Sequence, residues 1–581
     1  MSQLLPAGLR RRVAAVAPDA VVRRGRRVLQ GESRPQRSLR QIGDRLSRRK
    51  AARVQRAVDP SSPGLVPVAV TGHWTVGRVV DRFRADEVYA EQAAAVADAL
   101  EAHGVDYFYL STTPHRRRVL VVPASRRIAA LRALESELAD AAFYLAPLYG
   151  RALQRARPLG GRAISQPGPG VRLFQVLATA DGTFLSGSEM GADLQFWAEA
   201  GEGAALSVRG EPLTPGSLVG ERSLDPTPEV VEPMASSVIT RSVDERPRPT
   251  LAELTFPHLL DVVDPIDVVY TWVDGGDPAW QQRMHETLDG RAEAGLHALA
   301  ANASRYTSRD ELRYSLRSLE MYAGWVRHIY VVTDGQLPGW LATDHPDLTV
   351  VSHAELFGDR GRLPTFNSHA IESQLHHIDG LAENYLYLND DVFLGRPVTP
   401  ELFVLGNGLA RFFLSSVKVT PGPVRPGDLP ITSAAKNNRD LLLEKFGRVT
   451  THKFQHAPYS LRRSTMFELE DLFADQVAAT AASQFRSPTD LSISAALGHY
   501  YAFLTGRAVP GRLHYTYADI ARPDTPERLE TLLRKRGFDA FCLNDHDSSQ
   551  LSQEAADAVA EFLRRYFPLP SRFERTDPGA V

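Results

Sequence analysis

The second half of the chain alternates short apolar segments with an amphipathic one, and this alternation constrains the fold more than any other feature. Residues 266–273 (IDVVYTWV) are almost continuously apolar and predict a buried strand. Residues 310–322 place leucines on one face of a predicted helix, and strand patterns follow at 328–333, 348–352 and 385–388. We therefore expect an α/β fold with an open, Rossmann-like and mostly parallel sheet, which binds ligands at the carboxyl ends of its strands.

Acidic and amide residues follow three of these strands. They are Asp274 and Asp277, then Asp334, then the run Asn389-Asp390-Asp391. Adjacent carboxylates beside an amide suit a hard cation that takes its other ligands from water and phosphate. A turn or a helix cap is the alternative for any one such pair. Because apolar segments flank Asp390 and Asp391 on both sides, the sequence favours a Mg²⁺ (or Mn²⁺) site there.

Further polar residues lie between this run and the C-terminus. His456 has the chemistry of a general base, and arginines such as Arg486 pair with phosphate oxygens. A hydrogen-bonded core or surface histidine is the alternative for His456. The second acidic-amide cluster, residues 544–547, follows a small apolar segment, although it could also cap the next helix. Glu372 lies three residues after His369 in what could be a capped helix start.

The first 60 residues form a basic segment with sixteen basic and four acidic residues. Such a segment suits polyanions or an anionic membrane surface, whereas a solvated tail or an imitation of an organelle transit peptide stays open. It has no apolar core of the signal-peptide type, and we find no apolar segment elsewhere that predicts a membrane span. We expect a cytoplasmic protein, with peripheral contact to the inner face of the plasma membrane through residues 1–60.

Strand and helix patterns predict a small α+β domain over residues 61–211. Residues 212–256 are rich in proline, serine and charge and predict a linker or a strap across a surface. Residues 257–581 then form the predicted catalytic domain. The single cysteine, Cys542, excludes an internal disulfide and a site made of several thiolates.

Long blocks of the second half resemble the Stealth family. They are DPIDVVYTWVDGGDPAW from residue 264, SRDELRYSLRSLEMYAGWVRHIYVVTDGQLPGWL from 308, PTFNSHAIESQLHHIDGLAENYLYLNDDVFLG from 364, and later KFQHAPYSLRRSTMFELEDLF, FRSPTDLSISAALGHYYAFLTG and FCLNDHD. That family comprises bacterial capsular polysaccharide phosphotransferases and the catalytic subunit of the lysosomal-enzyme N-acetylglucosamine-1-phosphotransferase. The resemblance runs from about Pro257 to Glu574, and the first 250 residues do not share it.

The resemblance implies transfer of a hexose-1-phosphate, commonly N-acetylhexosamine-1-phosphate, from a UDP-sugar to a glycan hydroxyl with release of UMP. The residues that it marks as catalytic are His456, Arg486, Asp267 and Asn389, and those that it marks as metal ligands are Asp390 and Asp391. It marks as donor-binding residues Asn544, Arg313, Asp274 and Glu372, although some of these could instead brace the fold.

Two other functions stay open on the sequence. One is a metal-dependent glycosyltransferase that releases UDP, because acids at strand ends serve that chemistry equally well. The other is a glycan-binding protein without turnover. The expected partners are a UDP-sugar donor, a glycan or polysaccharide acceptor for capsular or exopolysaccharide synthesis, and an anionic membrane surface. We expect no nucleic acid, and a homo-oligomer stays open.

Overall fold

The computed structural model describes most of the chain from Gly64 onwards. It covers residues 64–575 except 71–72, 112–113, 150–151, 154, 161–167, 201–211, 225–227, 244, 290–305, 307 and 545–551. The basic segment of residues 1–60, with its predicted membrane contact, lies outside the described residues. So do Asp545, His546 and Asp547 of the second acidic-amide cluster. Within the described part, no helix is long and apolar enough to cross a membrane.

The first half is rich in strands. They are β1 (Leu65–Val70), β2 (His73–Val79), β3 (Phe108–Ser111), β4 (Val119–Pro123), β5 (Phe143–Tyr149), β6 (Ala152–Leu153), β7 (Arg157–Pro158), β8 (Gly170–Gln175), β9 (Leu177–Ala178), β10 (Phe184–Ser186), β11 (Ala192–Glu199), β12 (Leu218–Val219), β13 (Val230–Val231), β14 (Val238–Val243) and β15 (Arg246–Leu251). The helices are α1 (Ala85–Ala102), α2 (Arg127–Leu138) and the short α3 (Met234–Ser237).

Most of these strands form one mixed, mainly antiparallel sheet, whose central path runs β14-β15-β3-β4-β11-β8-β5-β6. Helices α1 and α2 bury Val96, Leu100 and Leu134 in the same core as Leu173 and Leu194 of this sheet. The first half therefore combines helices with a mainly antiparallel sheet.

Residues 212–256, for which the sequence predicted a linker or a strap across a surface, contain strands. Strands β14 and β15 form a hairpin from Val238 to Leu251, and β15 pairs in parallel with β3 of the first-half sheet. Short strands with little apolar periodicity give a weak signal on their own, because their stability comes from the neighbouring strand. This segment extends the first-half sheet at its edge instead of bridging two domains.

The second half contains the remaining elements. Its strands are β16 (Ile266–Thr271), β17 (Val326–Thr333), β18 (Leu348–Ser352), β19 (Asn384–Asn389), β20 (Val392–Leu394), β21 (Ala410–Phe412), β22 (Leu414–Lys418), β23 (His452–Phe454), β24 (Tyr459–Arg462), β25 (Ala508–Pro510), β26 (Tyr515–Asp519) and β27 (Ala540–Asn544). Its helices are α4 (Pro278–Asp289), α5 (Glu311–Tyr322), α6 (His353–Phe357), α7 (Ser368–Glu372), α8 (Pro430–Phe446), α9 (Arg463–Leu472), α10 (Ala474–Ala481), α11 (Gly498–Leu504), α12 (Thr525–Lys535) and α13 (Gln553–Tyr566).

The central sheet of this half has the strand order β18-β17-β16-β19-β24. The first four strands are parallel, and β24 runs antiparallel to β19. Successive side chains of a strand point to opposite faces, so Val268 and Tyr270 lie in one core while Val269 lies in the other. This burial on both faces explains the continuous apolar segments and confirms the mostly parallel, Rossmann-like sheet.

Strand pairing determines which residues meet at the carboxyl edge. Thr271 at the end of β16 is the partner of Asn389 at the end of β19. The chain then turns through Asp390 and Asp391 into β20, which pairs antiparallel with β27 so that Val392 faces Cys542. The edge of the sheet is thereby joined to the C-terminal part of the chain.

Candidate active site

Asp391 is the centre of a group of side chains at this edge. We call this group the Asp391 cluster, and it consists of Asp391, His456, Cys542 and Asn544. Its Oδ1 lies 3.2 Å from Nε2 of His456, and its Oδ2 accepts hydrogen bonds from Nδ2 of Asn544 and, at 3.4 Å, from the thiol of Cys542. The residue is only 8% exposed. The register of β20 against β27 thus brings Asp391 beside Cys542 and Asn544, which lie more than 150 positions later in the chain.

Both ring nitrogens of His456 have a partner. Its Nδ1 lies 3.2 Å from the hydroxyl of Tyr459, while Nε2 faces Asp391. Burial by itself lowers the pKa of His456, but the charge and hydrogen bond of Asp391, assisted by Glu372, raise that pKa above its ordinary value. The side chain is still 31% exposed, so a ligand can approach it.

Glu372 and Arg486 form the second part of the site. Arg486 donates from its guanidinium to Oγ of Ser368 at 2.8 Å, at the start of the helix that ends in Glu372. Oε1 of Glu372 lies 3.4 Å from the hydroxyl of Tyr387 on the central sheet. Burial raises the pKa of Glu372 to about 7, although the positive charges of Arg486 and His456 oppose the increase.

Asn367 fixes this arrangement. Its side-chain oxygen caps α7 by accepting from the backbone N–H of His369 at 3.1 Å. Its amide nitrogen donates to Asp490 at 2.8 Å, and to the backbone oxygens of Ser483 and Phe485. One buried amide therefore joins the segment that carries Glu372 to the segment that carries Arg486.

Three acidic groups lie near one another at the sheet edge. Burial and the charges of Glu311 and Asp391 raise the pKa of Asp390 well above its ordinary value. Burial likewise raises the pKa of Glu311 at the start of α5, and Asp391 contributes. Carboxylates that destabilise one another's charge in this way are stabilised by a bound cation.

The donor types decide which cation fits. Asp391, His456 and Cys542 each offer a ligand atom within 4.8 Å of the others. Burial and the charge of Asp391 raise the pKa of the Cys542 thiol well above its ordinary value, so the thiol keeps its proton and donates to Asp391. Carboxylate oxygens such as those of Asp390 and Asp391, with Glu311 nearby, are the donor type that a hard divalent cation prefers.

Glu311 also lies near the acidic residues of this edge, and the sequence did not predict it there. It is 6% exposed and accepts a hydrogen bond from the backbone N–H of Arg309 at 2.5 Å. Its position at the first turn of the helix between two parallel strands was a usable signal, because that turn lies at the carboxyl edge of the sheet.

Asp267 does not join the site. It is the second residue of β16 and pairs with Tyr385, four residues before Asn389, so it lies toward the opposite end of the sheet. Its buried carboxylate accepts hydrogen bonds from the guanidinium of Arg327 at 2.8 and 2.5 Å and from the backbone N–H of Ala382 at 2.7 Å. The structure gives Asp267 a bracing position, which corrects the expectation that it belongs to the site.

Arg313 and Asp274 also have partners of their own. Arg313 donates to Glu574 at 2.6 Å and stacks over Trp340. Asp274 accepts from the backbone N–H of Gly276 at 2.8 Å, in the turn that follows β16. Both contacts stabilise local structure, and neither places the side chain in the Asp391 cluster.

Profiles of known families match the second half in four places. Stealth protein CR1, conserved region 1, matches residues 264–292, and CR2, conserved region 2, matches 305–412. CR3, conserved region 3, matches 455–503, and CR4, conserved region 4, matches 530–580. The matched regions contain Glu311, Glu372, Asp391, His456 and Asn544.

Whole-chain relatives extend the likeness to the first half. An exopolysaccharide phosphotransferase of Streptomyces coelicolor is 43% identical over 593 residues, which cover 99% of this chain and 97% of the relative. Exopolysaccharide phosphotransferase CpsY of Mycobacterium tuberculosis is 34% identical over 520 residues, which cover 89% of this chain and 94% of CpsY. A solved galactosyltransferase, LgtC, in complex with donor and acceptor sugar analogues, is 10% identical with a TM-score of 0.28 and covers 52% of this chain and 96% of its own. Because the four conserved regions occur in order and a relative is 43% identical across 99% of the chain, this chain belongs to the Stealth family.

Proposed function

We propose that this protein transfers a hexose-1-phosphate, with N-acetylhexosamine-1-phosphate as the first candidate, from a UDP-sugar to a hydroxyl of a glycan acceptor. UMP is the second product, and the glycan is part of an exopolysaccharide or capsule. The observation that carries the proposal is the convergence of Asp391, His456, Glu372 and Arg486 at the carboxyl edge of a parallel sheet. The names of the relatives support the same class of reaction.

The donor diphosphate needs positive charge around it. Asp390 and Asp391 would hold Mg²⁺ or Mn²⁺, which neutralises diphosphate charge when it is bound. Arg486 provides a fixed positive charge near His456 and Glu372, because its guanidinium is held by Ser368 and lies close enough to lower the pKa of both residues. A guanidinium in this position pairs with the oxygens of the phosphoryl group that moves.

In the chemical step, an acceptor hydroxyl oxygen attacks the sugar-bearing phosphorus and the bond from that phosphorus to UMP breaks. His456 takes the hydroxyl proton on Nδ1, the nitrogen that does not face Asp391. Asp391 then stabilises the imidazolium through Nε2, which agrees with the direction of the His456 pKa. Asn544 and Cys542 hold Asp391 in place by donating to its second oxygen.

The nucleotide product tests the proposal. The full chain is incubated with Mg²⁺, UDP-N-acetylglucosamine or another UDP-sugar, and a glycan acceptor, and the released nucleotide is identified by chromatography. UMP formed only in the presence of acceptor is the expected result. Release of UDP would replace the proposal with a glycosyltransferase that attacks the anomeric carbon. Release of neither nucleotide across a panel of UDP-sugars and acceptors would favour a glycan-binding protein without turnover.

A further inference from the structure

A second group of metal-binding side chains lies outside the Asp391 cluster. His376 and His377 are adjacent residues of a single helical turn after α7, and Glu470 lies on α9. Nε2 of His376 is 2.7 Å, and Nε2 of His377 is 2.8 Å, from the same oxygen, Oε2 of Glu470. Two imidazole nitrogens and one carboxylate oxygen therefore converge on one point.

The surroundings hold these rings in place. The ring of Phe467 on α9 meets both imidazoles edge to face, with centroids 4.7 and 4.9 Å away. Arg463, one turn earlier on the same helix, donates to the backbone oxygen of His376 at 2.9 Å. Since Arg463, Phe467 and Glu470 recur at helical spacing, one face of α9 organises the whole group.

The group is closed on one side and open on the other. The side chain of His376 is 1% exposed, whereas those of His377 and Glu470 are 16% and 22% exposed. Solvent therefore reaches the point of convergence past His377 and Glu470. An ion could enter by that path and keep a water molecule as a further ligand.

An ion would replace the two contacts that Oε2 of Glu470 makes with the imidazole rings. Each neutral imidazole can carry its proton on Nδ1, and its Nε2 then presents a lone pair to the ion.

We propose that His376, His377 and Glu470 form a binding site for a transition-metal ion of the Zn²⁺ type. Two imidazole nitrogens and one carboxylate oxygen are a donor set for Zn²⁺ or Co²⁺, whereas Mg²⁺ prefers oxygen ligands alone. With bonds of about 2.0 to 2.1 Å, tetrahedral coordination separates its ligand atoms by about 3.3 Å. The two nitrogens would therefore move about half an ångström away from Oε2 when the ion enters.

Such an ion would act on structure. It would join α9 to the turn at His376, which lies four residues after Glu372 in the chain. This role does not depend on the proposed function, because none of the three residues lies in the Asp391 cluster. Binding can accordingly be measured without any substrate.

Cobalt absorption tests the site. The metal-free full chain with Cys542→Ser is the parent protein and is titrated with Co²⁺. It is compared with two variants that carry His377→Ala or Glu470→Gln in addition to Cys542→Ser. That background removes the thiol of the other candidate group, so thiolate-to-cobalt charge transfer cannot contribute. We expect saturable visible d–d bands in the Cys542→Ser protein, with affinity at least about tenfold weaker in each of the two further variants.

His328→Ala is the matched control, because His328 is a histidine of the same half that bonds to Thr349 instead. It should bind Co²⁺ as the Cys542→Ser protein does. Glu470→Gln keeps the size of the side chain and an acceptor oxygen, so it decides the matter if His377→Ala does not fold. Absence of d–d bands, or equal affinity in Glu470→Gln and its parent, would overturn the proposed site.

Discussion

Asp391 meets donors from two distant parts of the chain, His456 before β24 and the residues Cys542 and Asn544 of β27. Asn544, Cys542 and His456 all direct hydrogen bonds to its two oxygens, and together they lower the pKa of a carboxyl that burial alone would raise. A buried carboxylate satisfied in this way is held in one orientation. The proposed mechanism uses such a fixed anion beside His456.

Asp391→Asn should therefore lose turnover without losing the fold. The amide has nearly the same shape but no charge, so it neither holds a divalent cation nor stabilises an imidazolium. We expect UMP release to fall by at least about 100-fold, measured under saturating donor and acceptor. Asp379→Asn, at an exposed turn, is the control and should keep wild-type turnover. Turnover by Asp391→Asn within a few fold of the control would remove Asp391 from the mechanism.

The buried carboxyl group of Glu372 should make the stability of the fold depend on pH. Its folded-state pKa of about 7 lies above the ordinary value of 4.5, so the folded protein holds this proton more tightly than the unfolded chain. Stability from this group is complete below about pH 4.5 and is lost as the pH rises toward 7. Glu372→Gln stays neutral and should be more stable than wild type by roughly 3 kcal/mol above pH 7, but not at pH 4.5.

Thermal unfolding at pH 5 and pH 8 measures this difference. Glu355→Gln is a control of opposite sign, because hydrogen bonds from Ser352 lower the pKa of Glu355. That variant should gain no stability at pH 8. An equal melting temperature for Glu372→Gln and wild type at pH 8 would mean that Glu372 is not buried as the structure has it.

Residue types and spacing predicted much of the site but not its geometry. Asp391, His456 and Asn544 do converge, although nothing in the sequence states that β20 pairs with β27. The family resemblance placed Asp267 in the site, but this residue lies at the amino end of β16, away from the carboxyl edge. Glu311 was missed because a single acid at a helix start is an ordinary feature.

At the scale of elements, α7 is the short helix that positions the second half of the site. It has five residues and would not be stable alone, so it depends on its cap and on tertiary contacts. Asn367 supplies both, because one side chain caps α7 and bonds to Asp490.

Asn367→Ala should destabilise the protein and slow turnover together. It removes a helix cap and leaves the buried Asp490 without one of its partners, which costs about 2 to 3 kcal/mol. The free energy of unfolding from urea titration and the rate of UMP release measure the two effects. Ser352→Ala is the matched control, since it removes the capping box of α6, and it should cost about 1 kcal/mol without a change in turnover. Unchanged turnover in a destabilised Asn367→Ala protein would show that the cap does not position the site.

Elements with a strong periodic signal were predicted accurately, and the others were not. Apolar patterns predict strands at residues 65–70 and 348–352 and a helix at 553–566, and the bounds of β1, β18 and α13 agree with them. The apolar spacing of residues 125–144 predicts a single helix up to Tyr144, but the helix ends at Leu138, because Phe143–Tyr149 pairs as β5 with β8. Residues 238–251 were not recognised as strands, since alternating arginine and proline carry no apolar period. In both cases pairing with a distant strand overrides the local pattern.

At the scale of the whole molecule, α5 is one of the elements of the second half that contact the first half. Glu311 at its start lies beside the acidic residues of the site. Tyr322 at its end packs against Phe83 of the first half, with ring centroids 6.3 Å apart. Arg317, in the middle, donates to Glu574 near the C-terminal end of the described chain. Helix α5 therefore contacts the first half, the candidate site and the C-terminal segment.

Glu574 should contribute strongly to the free energy of unfolding, although it lies near the C-terminal end of the described chain. Its buried carboxylate accepts from Arg313 at 2.6 Å and from Arg317 at 2.7 and 2.8 Å. Glu574→Gln leaves these guanidiniums without a counter-charge, and breaking a buried pair of this kind costs about 3 to 5 kcal/mol. Urea unfolding at pH 7 measures the loss, and Glu530→Gln is the control, because its exposed pair with Arg565 is worth at most about 1 kcal/mol.

The pH dependence of the same variant separates charge from packing. Burial raises the pKa of Glu574, but hydrogen bonds and charge from Arg317 outweigh it, so the folded-state pKa lies below the ordinary value of 4.5. Because the folded-state pKa is depressed, the stabilisation is fully present above about pH 4.5 and is lost as the pH falls through that lower value. The difference in stability between wild type and Glu574→Gln should therefore be constant from pH 8 to pH 5 and shrink in more acidic solution. A difference that stays constant down to the acid unfolding of both proteins would mean that Glu574 stabilises this junction through packing and not through charge.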